Sequence, residues 1–438
     1  MGTRLFFNVF LVLVSAVCHA QGFRFESGRQ KIVVPFQHIN NLVIIPVEVN
    51  GVMLNFLLDS GVDETILFSL DEREVSFDNL EKVRFRGLGS AEPIEGLRSG
   101  GNTLAFDGFK DADHDIYIVL DQDLNFSGSI GIPVNGVIGY NLFRNFPVEI
   151  SYASKKITIY RDAERQKKKW KKQYTRVPIS IELSKPYAMS SVTIGNHPFE
   201  AKLLIDVGNS DALWLFAERS EDVRIPQRNF VDYLGRGFSG EIHGRRARIT
   251  EFRLGGYDFR YPIAAFPDTL STRNIQMVRD RIGSIGGEIL RRFSVVLDYA
   301  GGAMYLKKSG FFDDPFQYNM SGLDIQHAGM TWVKETVESA QPTNLHDVNG
   351  DKIPNTFTFR FELKPVYSIS NVREGSPAYE SGVRPGDVIR TLNNRSGYRY
   401  TLQQINNLLK SEEGREIKLA VERNGQEKIF VFTLKSML

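Results

Sequence analysis

Leu57-Leu58-Asp59-Ser60-Gly61 and Leu204-Ile205-Asp206-Val207-Gly208 each place an aspartate after an apolar, strand-like run and before a glycine. They lie 147 positions apart (59 to 206), and the same offset carries Gly139 onto Gly286, Phe146 onto Phe293 and Tyr152 onto Tyr299. A lone Asp-Ser-Gly arises often by chance. Two that keep register over this distance read as one fold used twice. Two such folds face to face bring two carboxylates to one site, the layout that shared-proton acid–base chemistry needs.

The flanking sequence repeats in outline. Lys31-Ile32-Val33-Val34 and Leu42 to Val47 read as strands, and Asn50-Gly51 is a hairpin turn that feeds the strand Val52 to Leu58. Asn196-His197-Pro198 is expected to play the same part before Phe199 to Ile205. Glycine-dense runs follow each aspartate, Gly87-Leu88-Gly89 through Gly100-Gly101 and Gly235 to Gly240, and are expected as hairpins hanging over a cleft. Gly136-Val137-Ile138-Gly139 and Gly283-Ser284-Ile285-Gly286 stand 77 to 80 positions after their aspartates. Each precedes a short helix-like stretch and then a strand pair, Val148 to Tyr160 and Ser294 to Leu306.

With 438 residues, 42% hydrophobic, the chain has room for two or three packed domains, and its 38 glycines and alternating apolar runs favour β-structure. A net charge of +2 gives no reason to expect nucleic acid. Residues 1–20 read as a signal peptide: Arg4, then a mostly apolar Leu5 to Val17, then Cys18-His19-Ala20. Cleavage after Ala20 would export the chain to the periplasm or outside the cell. The apolar run is too short for a stable membrane anchor. Cys18 is the only cysteine, so the mature chain is expected to have neither disulfides nor thiol chemistry. Residues 161–176 carry eight basic side chains and read as a solvated linker. Gln341 to Asn355 reads as a loop. Asp347 to Asp351 lacks the later glycine and glutamate of a calcium loop and reads as a turn.

Leu58-Asp59-Ser60-Gly61-Val62-Asp63-Glu64-Thr65-Ile66 resembles the active-site loop of retropepsin-like aspartic proteases, and Val137-Ile138-Gly139 is similar to the apolar-apolar-glycine element that packs beside it in that family. Both elements recur in the second half, as in two-lobed, pepsin-like aspartic proteases. The resemblance implies a mainly β fold of two β-barrel lobes forming a cleft, residues 21–160 and 177–307. It implies an aspartic endopeptidase with Asp59 and Asp206 catalytic and with Ser60, Gly61, Thr65, Val207 and Gly208 in the active-site loops. Asp63 would contact substrate backbone. No metal and no cofactor are called for, and a monomer suffices because both aspartates lie in one chain. The second loop departs from the pattern. Val207 replaces the hydroxyl residue that in the family bonds across to the opposite loop, and Ala212 stands where Thr65 does in the first.

The tail carries a second resemblance. Asn371-Val372-Arg373-Glu374-Gly375-Ser376-Pro377-Ala378 followed by Gly382-Val383-Arg384-Pro385-Gly386-Asp387-Val388-Ile389 is similar to bacterial PDZ domains. A strand Val366 to Val372, a helix Thr401 to Leu409 and strands Ile417 to Arg423 and Lys428 to Leu434 are expected, with the domain starting near Met320 and running to 438. Such domains bind extended peptides at a sheet edge beside a helix, with a carboxylate-binding loop expected ahead of Val366, and this one is expected to recruit substrate or to regulate access. The whole chain looks like the two-lobed aspartic proteases joined to a PDZ domain in bacterial envelopes.

Other classes fare worse. Gly208-Asn209-Ser210 is followed by Asp211 where a serine nucleophile needs a glycine for its oxyanion hole. His38, His114, His197 and His243 lie in separate contexts and read as surface or turn histidines. No His-Glu-x-x-His pattern occurs. The rival reading is a non-catalytic peptide-binding envelope protein, for which Val207 is the best support. An envelope scaffold with neither site occupied is a third.

Overall fold

The structure is a computed structural model that describes residues 22–26, 28–70, 73–85, 94–119, 126–237, 240–272, 276–338 and 357–438. The leader, Cys18, the glycines at 87–89 and the 341–355 loop with its Asp347–Asp351 turn lie outside these residues.

Each half builds its central sheet in the same way. Val52–Leu58 alternates outward and buried residues and runs parallel to Gly136–Ile138. His197–Ile205 likewise runs parallel to Arg281–Ile285. Both short partner strands are buried at every residue, as a strand flanked on two sides requires. The glycines in them are steric necessities. A Cβ on Gly136 would sit 2.3 Å from the Ile66 carbonyl oxygen, and one on Gly283 would sit 2.1 Å from that of Trp214.

Turn chemistry sets the strand registers. Asn50-Gly51, both at positive φ, closes a two-residue hairpin with Val49 opposite Val52. In the second half the turn is Gly195-Asn196, because Ile194 faces His197 and the strand has begun by then. The expected Asn196-His197-Pro198 turn is therefore one residue too late. Gly195, at φ +62, supplies the left-handed residue.

The hairpin turns are 145 positions apart (Val52 to His197), and the offset shifts again just after the aspartates. Ile66 faces Val137, whereas Trp214 faces Ser284. Val137 to Ser284 is 147 positions, but Ile66 to Trp214 is 148. One extra residue thus lies between Gly208 and Leu213, and the structural partner of Thr65 is Leu213, not Ala212.

The halves join through a six-stranded sheet in which Val148–Ser151 pairs antiparallel with Phe293–Asp298. Val148 faces Leu297 and Ile150 faces Val295. The 147-residue offset turns the first pair into the second, so the pseudo-two-fold axis passes through this ladder. The basic segment forms the helix Ala163–Gln173, N-capped by Asp162. It lies against this sheet through Trp170, which is buried on Tyr160 and Tyr305.

The C-terminal domain is a six-stranded sheet opened by the hairpin Leu323–Glu338 and Phe357–Val372. The second of these strands starts well before the expected Val366. Thr401 and Gln404 form a capping box at the start of the helix Leu402–Leu409. Asn424-Gly425, both at positive φ, joins Glu416–Arg423 to Gln426–Thr433. Phe230 and Ile263 of the second lobe belong to this domain's apolar core. On the other side, Leu402 packs where a Cβ on Gly131 of the first lobe would come within 2.8 Å. The domain therefore straddles both lobes.

Gly283→Ala is expected to lower stability by about 1–3 kcal/mol, since its methyl would press on the rigid Trp214 carbonyl and crowd Leu203. Gly310→Ala, with nothing within 4 Å, should stay within about 0.5 kcal/mol of the parent. Chemical denaturation of the two variants checks this.

Candidate active site

The strand pairs deliver the two aspartates in matched fashion. The Asp59 N–H donates to the Ile138 carbonyl at 2.9 Å, and the Asp206 N–H to that of Ile285, also at 2.9 Å. Each main chain then turns sharply at a glycine. The Gly61 N–H donates to Asp59 Oδ1 at 2.7 Å. A Cβ on Gly61 would lie 3.0 Å from Asp59 Oδ1 and 3.3 Å from Asp206 Oδ1, so oxygens of both carboxylates converge on one point. A Cβ on Gly208 would lie 2.2 Å from Asp59 Cγ. Any residue other than glycine would push the carboxylate aside.

Ser60 locks the loops together. Its buried hydroxyl donates to the Ile205 carbonyl at 2.6 Å and accepts from the Val207 N–H at 3.0 Å. Val207 is equally buried and its side chain returns no such bond. The clamp is one-sided.

Burial raises the Asp59 carboxyl above its ordinary range, against the pull of the Gly61 N–H. Burial also raises Asp206, and the negative charge of Asp59 drives it well above the ordinary value, with Arg281 opposing. Two carboxylates this close resist double ionisation. Arg281 escaped the sequence reading. Its buried side chain donates to the Gly283 carbonyl at 3.1 Å and lies over the Phe216 ring. An arginine two residues ahead of the Gly283-Ser284-Ile285-Gly286 run was the available signal.

Thr65 is buried and shares a 2.7 Å hydrogen bond with His114 Nε2, and His114 Nδ1 meets Asp111 Oδ2 at 2.7 Å. Burial would raise the Asp111 carboxyl, but the hydrogen bond and charge of His114 outweigh it and hold it low. The expectation of a surface or turn role for His114 is wrong: at 2% exposure it braces the first loop from behind. His38 is partly buried beside Tyr152, and burial lowers its pKa to about 4. His197 and His243 are exposed, beside Asp222 and Glu241. Asp63 is held by Lys185 at 2.9 Å at the cleft wall, on the first-loop side of Asp59.

The paired carboxylates lie in a cleft of about 1380 Å³. The hairpin Asn229–Gly237 and Gly240–Arg248 contributes Tyr233 to Gly237 and Glu241 to His243 to its lining. No described residue of the corresponding first-lobe hairpin, Leu80–Phe85 with Ile94–Phe106, lines it. Gly100 and Gly101 sit inside the latter strand at a register shift, not at a tip. Among the described residues no cluster of three His, Cys, Asp or Glu side chains could hold a metal ion, and no helix is long and apolar enough to cross a membrane.

Residues 368–423 match the family model of the PDZ domain. The C-terminal unit is a PDZ domain. No curated protein matches the chain. Among solved structures it is similar to the aspartic proteinase from Irpex lacteus, with a TM-score of 0.42 and 13% identity over 65% of this chain and 99% of that one.

The PDZ sheet edge next to the helix is the strand Leu323–Glu338, so the loop that begins the groove is Asn319 to Gly322, far ahead of Val366. Its donors are engaged. Asn319 Oδ1 accepts from the Ser321 and Gly322 N–H groups, and Ser321 Oγ accepts from the Leu323 N–H. Further along the groove stands the first-lobe helix Ser127–Ile130, where a Cβ on Gly128 would lie 3.5 Å from the His327 carbonyl oxygen. An ion network fixes the PDZ domain to the second lobe. Arg246 bridges Asp211 and Asp232 at 2.6 Å each, and Asp232 also binds Arg373 of the PDZ domain at 3.2 Å. Asp324 lies beside this network. Burial and the Asp232 charge push its pKa up to about 6, against a hydrogen bond from Asn371.

Ser60→Ala is expected to cost about 1–3 kcal/mol, since it strands the buried Val207 N–H. Val207→Thr should add about 0.5–1.5 kcal/mol by restoring the second arm of the clamp. Thermal melts measure both. Asp324 has its folded pKa raised above 3.8, so its contribution is intact below that value and is lost as pH rises through about 6. Asp324→Asn should therefore stabilise the protein by roughly 1–3 kcal/mol at pH 8 and leave it unchanged below about pH 4. Paired denaturation curves at the two pH values read this out.

Proposed function

We propose that the chain is an exported aspartic endopeptidase of two pepsin-like lobes, residues 21–160 and 177–307, with Asp59 and Asp206 as its dyad. The observation that carries the reading is the meeting of two half-buried carboxylates, one from each copy of a repeated loop, on the floor of one cleft. Such a pair holds a single proton between pH limits set by the pair as a whole. The ionised carboxylate takes a proton from a water lying between them, and the protonated one hydrogen-bonds to the scissile carbonyl oxygen. The hydroxide equivalent adds to the carbonyl carbon. The tetrahedral adduct then collapses as the leaving nitrogen receives a proton from the dyad, which returns to its starting state. No cofactor enters this scheme. Gly61 and Gly208 let the main chain approach the carboxylates, Ser60 fixes their separation, and Asp63 with Lys185 flanks the substrate.

The PDZ domain regulates access in this reading. It lines the cleft, and the first-lobe helix Ser127–Ile130 stands where an added peptide strand would run. The one-sided clamp at Val207 favours a second reading, a peptide-binding protein that no longer cuts.

Cleavage of a mixed peptide library by residues 21–438, from pH 3 to 8, tests the proposal. Asp59→Asn and Asp206→Asn should each cut the rate by roughly 10²–10⁴-fold. The rate should fall at high pH, as the raised carboxyl ionises, and at low pH, as its partner gains a proton. Full activity in either variant would exclude the shared-proton scheme. Folded protein that binds peptides at every pH without cutting them would establish the second reading.

A further inference from the structure

The far wall of the cleft is the PDZ helix. Gln403, Asn406, Asn407 and Lys410 all line it, and their spacing puts them on one helical face. The opposite face, Leu402, Ile405 and Leu409, is buried in the PDZ core. The first-lobe turn Asn40-Asn41, both residues at positive φ, connects this face to the second lobe. The Asn40 N–H donates to Gln403 Oε1 at 2.6 Å, while Asn41 Nδ2 donates to the Ser210 carbonyl and to Glu288 Oε2, each at 2.9 Å. Three parts of the chain thus meet along one continuous cleft.

Lys410 ends this face. Its ammonium lies in the field of Glu288, Asp211, Arg246 and Arg291 of the second lobe. The acids there are committed elsewhere. Glu288 accepts from Arg291, Arg292 and Asn41, and Asp211 from Arg246 and from the Trp214 indole. Among the described residues no hydrogen bond or ion pair holds the Lys410 ammonium. Burial lowers its pKa, and an added carboxylate would favour its charged form.

We propose that Lys410 is an anion-recognising subsite for an extended polypeptide lying in the cleft, taking a carboxylate of that polypeptide away from the bond held at Asp59 and Asp206. The carboxylate comes either from a glutamate or aspartate side chain or from a chain terminus. Cleavage rests on the endopeptidase reading, whereas the subsite does not depend on it.

The test uses residues 21–438 and fluorescent peptides that carry Glu or Gln at successive positions, each with a free or an amidated C-terminus. Cleavage and anisotropy binding are measured in parallel for the parent, Lys410→Met and Lys410→Arg. The parent should favour a carboxylate at one position by about tenfold, Lys410→Met should abolish that preference, and Lys410→Arg should retain most of it. Comparable handling of the Gln peptides by all three proteins shows that the variants are folded. A preference lost on amidation assigns the terminus, and one lost on Glu-to-Gln exchange assigns a side chain. Binding selectivity that needs Lys410, without cleavage, would sink the endopeptidase reading and keep the subsite. Cleavage or binding with no carboxylate preference, or a preference that survives Lys410→Met, would overturn the subsite.

Discussion

The bond on which the rest of the structure depends is the buried hydroxyl of Ser60, which holds the Ile205 carbonyl and the Val207 N–H at once. It ties two loops that would otherwise be driven apart by the carboxylates they carry. Bringing Asp59 and Asp206 together costs desolvation and charge repulsion, and the raised pKa of both records that cost. The parallel strand pairs behind each loop and the ladder on the pseudo-two-fold axis supply the rigidity against which the clamp works.

The two halves have diverged where symmetry no longer constrains them. On the axis the ladder keeps its 147-residue relation without slippage. Off the axis the second loop has gained a residue, Val207 has lost the hydroxyl, and Leu213 stands opposite Thr65 in the register. The first loop has its own brace, the Thr65–His114–Asp111 chain. The second leans instead on Arg281 beside Asp206 and on the Asp211–Arg246 pair. Apolar packing and buried ions thus perform in one lobe what a hydrogen-bonded chain performs in the other.

The PDZ domain is bound to both lobes by unlike means. On the second lobe an apolar contact through Phe230 is backed by the Asp211–Arg246–Asp232–Arg373 network. Such a network stabilises weakly as a whole but is costly to break at one member, which fixes orientation more than affinity. On the first lobe the contacts are the Leu402 packing and the Asn40–Gln403 bond. The cleft consequently has three walls.

Local signals were enough to reveal the repeated aspartate loops, their partner glycines, the Asn50-Gly51 hairpin and the PDZ helix. These depend on interactions within a few residues, or on steric demands so strict that only glycine meets them, and so they leave a pattern in the chain. Tertiary structure alone decided the rest. His114 read as a surface residue because nothing nearby in sequence shows that Thr65, 49 positions away, would meet it. The inserted residue in the second loop was invisible, since an aligned Ala212 looks like a substitution until the ladder is seen. Arg281, Lys410 and the PDZ domain's place at the cleft follow from charges and surfaces brought together by long-range packing. Their energies depend on the burial and neighbours that folding creates, and those are absent from any local window of the chain.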